Sequence, residues 1–208
     1  MKTFSELWVK LKVIDLVAQT AWMTFTEKMD FSKDLCGMVR YSYWAIEADG
    51  ENAKSVLGEI DRVVRLDSAF TNQNKHFYHL GLSVEQNGEV RETVGDFDPW
   101  NDYPKSDFCD DNECPGIYAC DLLVRERTGD REEGFVSRLN SRLDGVTVTS
   151  VRAGEIWRLI VSAPDEGEAR KKVEEMAVTR SRQEGLLLNP HYQSFEFAGV
   201  TKLDSRKE

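Results

Sequence analysis

The densest group of potentially reactive side chains lies between two cysteines near the middle of the sequence. The segment from Cys109 to Cys114 offers two thiols and the carboxylates of Asp110, Asp111 and Glu113. Four residues separate the cysteines and no histidine is nearby, which is a poor spacing for zinc. The glycine-centred acidic loop that binds calcium is also absent from the sequence. We therefore interpret the segment as a solvated acidic loop, expect no metal and no cofactor, and expect the thiols to pair only under oxidation.

The three histidines offer little acid–base chemistry. His76 and His79 lie three residues apart on a predicted strand, so their side chains would tend to point to opposite faces. His191 is distant from both in the sequence. No cysteine–histidine arrangement indicates an activated nucleophile, and no Walker or Rossmann glycine spacing indicates a phosphate-binding loop. We therefore expect no catalytic residue and no turnover by the isolated chain.

Aromatic residues on the predicted strands could in principle stack on nucleic-acid bases, as in RNA-recognition sheets. They are Tyr41, Tyr43, Trp44, Phe77 and Tyr78. However, the RNP pattern is missing, and a formal charge of -10 opposes binding to phosphates. Packing in a core or between sheets is the favoured interpretation, and no nucleic-acid partner is expected.

The apolar pattern predicts the same series of elements twice. In the first half, strands are predicted at 7–13, 41–46 and 75–80, and two helices carry the apolar stripes Ala18, Trp22, Phe25, Met29 and Ala53, Leu57, Ile60, Val64. In the second half, strands are predicted at 117–124, 156–161 and 191–197, with helical stripes Val136, Leu139, Leu143 and Ala169, Val173, Met176, Ala177. The repeat pairs Ala53 with Ala169, and it places Asp49 and Asp165 as equivalent N-caps.

This repeat predicts an α+β fold of two ferredoxin-like βαββαβ units that pack sheet to sheet about a pseudo-two-fold axis. The first unit would span 1–85 and the second 116–208, joined by a connection at 86–115. Asn87 and Gly88 predict a hairpin turn at the start of the connection. Its remainder is acidic, and its aromatic residues indicate that it packs across one of the units; they are Phe97, Trp100, Tyr103 and Phe108.

Strand alternation makes a finer prediction about the packing of these units. One row of side chains is expected to face the sheet interface, formed by Trp157, Leu159 and Val161 together with Tyr41, Tyr43 and Ala45. Arg158 would point to the opposite face, where its truncation should cost little stability.

The second half also contains an ordered series of short motifs. They are V-R-A-G-E at 151–155, L-I-V at 159–161, V-E-E-M at 173–176, L-L-L-N-P at 186–190 and F-E-F at 195–197. In order and approximate spacing, the series resembles the PurS family, the small subunit of phosphoribosylformylglycinamidine synthase in de novo purine synthesis. Glu155 stands where the family usually has lysine, and the V-I-D-L start of the first helix occurs only in the first half, at 13–16.

The resemblance implies a non-catalytic assembly subunit. PurS-like proteins bridge a synthetase and a glutaminase subunit in an ATP-consuming, glutamine-dependent C–N ligase. A typical PurS chain has one unit, so a duplicated chain would supply both halves of a PurS-like dimer. Arg152, Gly154 and Glu155, in the V-R-A-G-E segment, are candidate partner contacts. A homo-oligomer is also compatible with this reading.

Two further functions stay open. Paired βαββαβ units also serve as ACT-like regulatory modules that bind small molecules, with a glycine near the first strand-to-helix turn; only Gly129, in the second half, fits that pattern. A small enzyme using a cleft between the units is disfavoured by the missing catalytic set. The absence of a long apolar window argues against a membrane partner. With no signal-peptide pattern and few, unevenly spaced cysteines, a cytoplasmic location is expected.

Overall fold

The computed structural model describes residues 1–84, 90–103, 116–128, 130–180 and 185–203, where the chain is a mixed α+β protein. The strands are β1 (Lys2–Leu11), β2 (Leu35–Asp49), β3 (His76–Val84), β4 (Val90–Gly95), β5 (Ile117–Glu126), β6 (Thr147–Ser162) and β7 (Gln193–Leu203). The helices are α1 (Leu16–Lys28), α2 (Ala53–Leu66), α3 (Asp130–Asn140) and α4 (Glu166–Ala177). The strands form a seven-stranded antiparallel sheet in the order β4-β3-β1-β2-β6-β5-β7. Among the described residues, no helix is both long and apolar enough to cross a membrane.

The chain divides into two compact units, and each unit takes segments from both halves of the sequence. Unit 1 comprises Met1–Val13, Tyr41–Asp102 and Thr128–Gly154, and unit 2 comprises Ile14–Arg40, Tyr103–Arg127 and Glu155–Glu208. Thus α1 belongs to unit 2 although β1 belongs to unit 1, and α3 belongs to unit 1 although β5 belongs to unit 2. The predicted division into 1–85, 86–115 and 116–208 followed the sequence repeat, and the compact units are divided differently.

Unit 1 has the strand order β4-β3-β1-β2-β6, using the second part of β2 and the first part of β6. Its core joins one face of these strands to α2 and α3, and its fully buried members include Leu7, Ile46, Ile60, Leu80 and Leu139. The predicted apolar stripe of α2 is confirmed, because all its members lie in this core or pack against it. Val136 and Leu139 of α3 also contribute to the core, whereas the third predicted member, Leu143, packs against it from beyond the end of α3.

Unit 2 contains β2, β6, β5 and β7 in that order, using the first part of β2 and the second part of β6. Its core includes Phe25 from α1, Val173 from α4 and the strand residues Leu122 and Leu159. The predicted N-cap Asp165 is confirmed, since its carboxylate accepts the backbone N–H of Glu168 at the start of α4.

The predicted βαββαβ order has two consecutive strands between the helices of each half. In the structure, a single long strand takes the place of each such pair. β2 has 15 residues and β6 has 16. Gly154, in the V-R-A-G-E segment, is in extended conformation within β6. Both halves therefore read strand, helix, strand, helix, strand, and the first half adds β4, which was not predicted. The proposed hairpin turn at 86–89 lies outside the described residues, although β3 and β4 do pair in antiparallel fashion.

The repeat is real at the level of element order, but the predicted register is wrong by three residues at the second pair of helices. The N-cap of α2 is Asn52, whose side chain accepts the N–H of Ser55, and not Asp49. The helical equivalent of Ala169 is therefore Val56, since each is the fourth residue of its helix and fully buried. A three-residue shift is close to one helical turn of about 3.6 residues, so the helical pattern alone hardly distinguished the two registers.

In a strand the same odd shift exchanges the two faces. Trp157 pairs with Leu122 as Trp44 pairs with Leu7, so Trp44 is the equivalent of Trp157. Trp157 packs in the core with α1 and α4, which corrects the expectation that its row faces a sheet interface. Tyr41 lies on the opposite face of β2 from Trp44, against Trp8.

Arg158 also corrects a prediction. It does point to the opposite face from Trp157, but its side chain is only 2% exposed and is not solvated. Its Nε and Nη2 donate to the two carboxylate oxygens of Asp121, at 2.6 and 2.7 Å. The guanidinium also lies 5.2 Å from the ring centroid of Tyr103. A buried bidentate pair of this kind is costly to break from one side.

Candidate functional site

The predicted partner contacts lie on β6 and have different neighbours. Arg152 and Gly154 belong to unit 1, whereas Glu155 belongs to unit 2. The side chain of Arg152 is 47% exposed, and its Nη2 lies 3.6 Å from Oε1 of Glu47. Glu155 is similarly exposed and accepts a hydrogen bond from Nη1 of Arg40 at 3.2 Å. Both charged side chains are therefore accessible to solvent, and each forms only a surface ion pair, which contributes little stability.

Arg40 connects Glu155 to the beginning of α1. Its Nε donates to Oδ2 of Asp15 at 2.9 Å, and its guanidinium lies 5.6 Å from the ring centroid of Trp157. Asp15 is the N-cap of α1 and accepts the N–H groups of Val17 and Ala18. In unit 2, the motif residue Glu155 and the first turn of α1 are thus held together by one arginine.

The outer side of α1 and Ile14, two residues before the helix begins, expose apolar side chains that sequence reasoning missed. Ile14, Leu16, Val17 and Met23 are between 46% and 71% exposed. The opposite stripe of the helix already supplies the core through Ala18, Ala21 and Phe25. The available signal was that α1 carries more apolar residues than one stripe needs. Clustered exposed apolar residues are typical of protein–protein contact surfaces.

A second group of residues lies on the side of unit 1 opposite its helices. We call Trp8, Tyr41, Tyr43 and His79 the aromatic face. Trp8 is directly opposite Tyr43 on β2 and His79 on β3, so all three point the same way. The rings of Tyr41 and Tyr43 each make edge contacts with Trp8 at a centroid distance of 5.5 Å.

Residues 96–102, which we call the strap, cover the aromatic face. Phe97 stacks on Tyr41, Trp100 meets His79 edge-on at 5.0 Å, and Asp102 accepts hydrogen bonds from Lys10 and the Tyr41 hydroxyl. The prediction that aromatic residues hold the connection against a unit is confirmed for Phe97 and Trp100. Tyr103 contacts Arg158 in unit 2, and Phe108 lies outside the described residues.

His79 is the central polar group of this region. It is 6% exposed, and its Nδ1 lies 3.1 Å from the carbonyl oxygen of Phe97, which identifies the Nδ1-protonated tautomer. Burial lowers the pKa of His79, while the hydrogen bond to Phe97 and the charges of Asp98 and Glu6 act in the opposite direction. Its Nε2 and the Nε1 of Trp8 have no hydrogen-bond partner in the described part of the chain.

The surroundings of the other cysteine and histidine side chains favour a structural role over a reactive one. Burial raises the pKa of the Cys120 thiol to about 12, so the thiol stays protonated at neutral pH. Nδ1 of His76 accepts the backbone N–H of Asn72, and burial lowers the pKa of that histidine. The described residues contain no group of three or more metal-binding side chains. Cys109, Cys114 and Gly129 lie outside the described residues.

Comparisons of the chain with known protein families, with characterised proteins and with solved structures find no match.

Proposed function

We propose that this chain is a non-catalytic assembly subunit resembling PurS, which bridges the synthetase and glutaminase subunits of phosphoribosylformylglycinamidine synthase. The observation that carries the proposal is the ordered motif series of the second half, from V-R-A-G-E at 151–155 to F-E-F at 195–197. Each motif alone is short, and it is their order and spacing that resemble the PurS family.

The arrangement of elements supports a duplicated PurS-like origin. In a ferredoxin-like unit the first and third strands lie between the fourth and the second, with two helices on one face. Unit 1 has this order if β1 is taken as the first strand, the first part of β6 as the second, the second part of β2 as the third and β3 as the fourth. Unit 2 has the same order if β5 is the first strand, the first part of β2 the second, the second part of β6 the third and β7 the fourth.

In this proposal each half of the sequence lends one helix and one half-strand to complete the other. Such an exchange is expected if two copies of one small chain became interdependent and were then joined. The exchange of segments supports the proposal that the chain represents a whole PurS-like dimer. A dimer is the form in which a bridging subunit would bind two partners.

The accessible residues of unit 2 supply a surface of the kind that an assembly subunit needs. Glu155, from the V-R-A-G-E motif, is tied through Arg40 to the beginning of α1. There Leu16 and Val17 are exposed without serving the core. We assign this surface of unit 2 to contact with the partner subunits, and on unit 1 we separately assign Arg152 and Gly154 as partner contacts.

Capture of partners from the source cell tests this function. Tagged chain should recover the synthetase and the glutaminase subunits together, identified by mass spectrometry. A Leu16→Ser/Val17→Ser variant should lose both while melting at an unchanged temperature, because neither side chain is buried. Leu66→Ser is the matched control, since Leu66 is 72% exposed at the end of α2.

The two parts of the proposal can fail separately. If the unaltered chain recovers neither subunit, the PurS-like function is wrong. If it recovers both and the α1 variant does so equally well, the function stands and the contact surface lies elsewhere.

A further inference from the structure

The strap is held over the aromatic face by contacts that centre on one titratable side chain. The carbonyl of Phe97 accepts the Nδ1–H of His79, and the ring of Trp100 packs edge-on against the same imidazole. Farther along the strap, Asp102 pairs with Lys10 at 2.6 Å. Trp100 itself is 46% exposed, so the strap is the outer layer at this position.

The surroundings of His79 suit a neutral imidazole. Its second nitrogen, Nε2, is buried and has no partner within the described ranges, and the nearest side chains include the rings of Trp100 and Phe97. A protonated imidazole would carry a second N–H that finds no acceptor there. Burying a charged group without sufficient hydrogen bonds costs free energy that water would otherwise supply.

We propose that the strap is an acid-released cover: protonation of His79 favours a state in which residues 96–102 leave the aromatic face and expose Trp8, Tyr41 and Tyr43. The inference does not depend on the proposed assembly function. It identifies a conformational device on unit 1, whereas the proposed α1 contact surface belongs to unit 2.

The charged groups around this region come from β1 and from the strap, and the neighbouring β2 contributes a phenol. Glu6 and Lys10 lie on β1, and Asp98 and Asp102 lie on the strap. The carboxylates of Glu6 and Asp98 attract an imidazolium, but burial is the largest influence. Tyr43, on β2, already donates its hydroxyl proton to Glu6, which occupies part of that carboxylate.

The direction of the pH dependence follows from the pKa of His79. Burial under the strap lowers this pKa below its ordinary value of about 6.5, so the closed state favours the neutral form. The contribution of His79 to closure is therefore complete above about pH 6.5 and decreases as the pH falls below that value. One proton can weaken closure by at most about tenfold per pH unit. Exposed carboxylates titrate near pH 4, below this window.

Hydrogen exchange of the full chain tests the proposal. Protection of backbone amides in 96–102, corrected for intrinsic exchange, should decrease between about pH 6.5 and pH 5, by up to about tenfold per unit. His79→Gln should make the protection independent of pH in this window, because its amide can donate to the Phe97 carbonyl and does not titrate. His76→Gln is the control and should retain the dependence of the unaltered chain.

Two results would overturn the proposal: pH-independent protection in the unaltered chain, or a dependence that persists in His79→Gln. An NMR titration of the unaltered chain supplies a test that needs no substitution. His79 must titrate below about 6.5 while the strap is closed, and titration at or above that value would rule out the mechanism.

Discussion

The carboxylate of Asp67 is almost completely buried and accepts a bidentate ion pair from Arg138, with 2.7 Å between Nη2 and Oδ1. Arg142 adds a third contact, with its Nη1 2.9 Å from Oδ2. Asp67 is the C-cap residue of α2, whereas Arg138 lies in the last turn of α3. The pair therefore fastens, within unit 1, a helix that comes from the second half of the sequence.

Asp67→Asn should destabilise the protein by about 1–3 kcal/mol at neutral pH, because it removes the buried charge that both arginines contact. Urea unfolding followed by circular dichroism would measure this loss. Asp144→Asn, at an exposed position, is the control and should cost far less. Equal small losses for the two variants would show that the Asp67 pair does not hold α3.

The same pair predicts a pH dependence. The hydrogen bond from Arg138 is the largest of the causes that lower the pKa of Asp67 below its ordinary value of 3.8. The contribution of the Asp67 carboxylate to stability is therefore present above pH 3.8. It is lost as the pH falls through the still lower pKa that Asp67 has in the folded state. The stability difference between the unaltered chain and Asp67→Asn should shrink in acid below pH 3.8 and stay constant from pH 5 to 7, each measured by urea unfolding.

The corrected repeat register predicts that Trp44 and Trp157 are energetically equivalent. Both are nearly buried against helices, so truncation to alanine should cost about 3–5 kcal/mol at each position. Trp100→Ala, at a half-exposed position on the strap, should cost much less. Denaturant midpoints of the three variants decide the matter. A small loss at Trp44 beside a large loss at Trp157 would contradict the equivalence.

Arg158→Ala should reduce the free energy of unfolding as much as the truncation of a core side chain does. Removing it leaves the carboxylate of Asp121 without its bidentate partner, which typically costs about 3–5 kcal/mol for a buried pair. The double variant Asp121→Asn/Arg158→Met should recover much of that loss, because no unpaired charge remains. A double-mutant cycle in urea measures the coupling, and additive losses would show that the two residues act independently.

The interleaved units predict that neither half of the chain folds as a monomer. Polypeptides 1–103 and 116–208 should each lack a cooperative thermal transition when alone and monomeric, since each unit needs segments from both. Mixed together, they should form a one-to-one complex that melts cooperatively, as measured by calorimetry and sedimentation. A monomeric half with its own cooperative transition would contradict the division into units.

Helical periodicity was the most informative pattern in the sequence. Ala169, Val173, Met176 and Ala177 follow the spacing of one helical face, and all are fully buried. The same periodicity could not determine the register between repeats, because a shift of three residues leaves a helical stripe nearly in place. Asn52 was the residue that distinguished the registers, through its capping hydrogen bond to Ser55.

The division of segments between units could not be read from local patterns. Ala18 and Phe25 predict a buried helical face, but they do not indicate which strands of the sheet bury it. The buried Arg158 was missed for a related reason: an arginine in an apolar strand suggests exposure until Asp121 is known to lie opposite it. The aromatic residues of the connection predicted that it packs against a unit, but they did not indicate that Phe97 and Trp100 would cover the aromatic face.

We propose that this chain couples a glutaminase to a synthetase. The most direct test of this coupling is the conversion of formylglycinamide ribonucleotide by the purified synthetase and glutaminase subunits of the source cell, with ATP and either glutamine or ammonia. We predict that the glutamine-dependent rate requires this chain in stoichiometric amount, whereas the ammonia-dependent rate does not. A glutamine-dependent rate that is unchanged by adding the chain would contradict the proposed function.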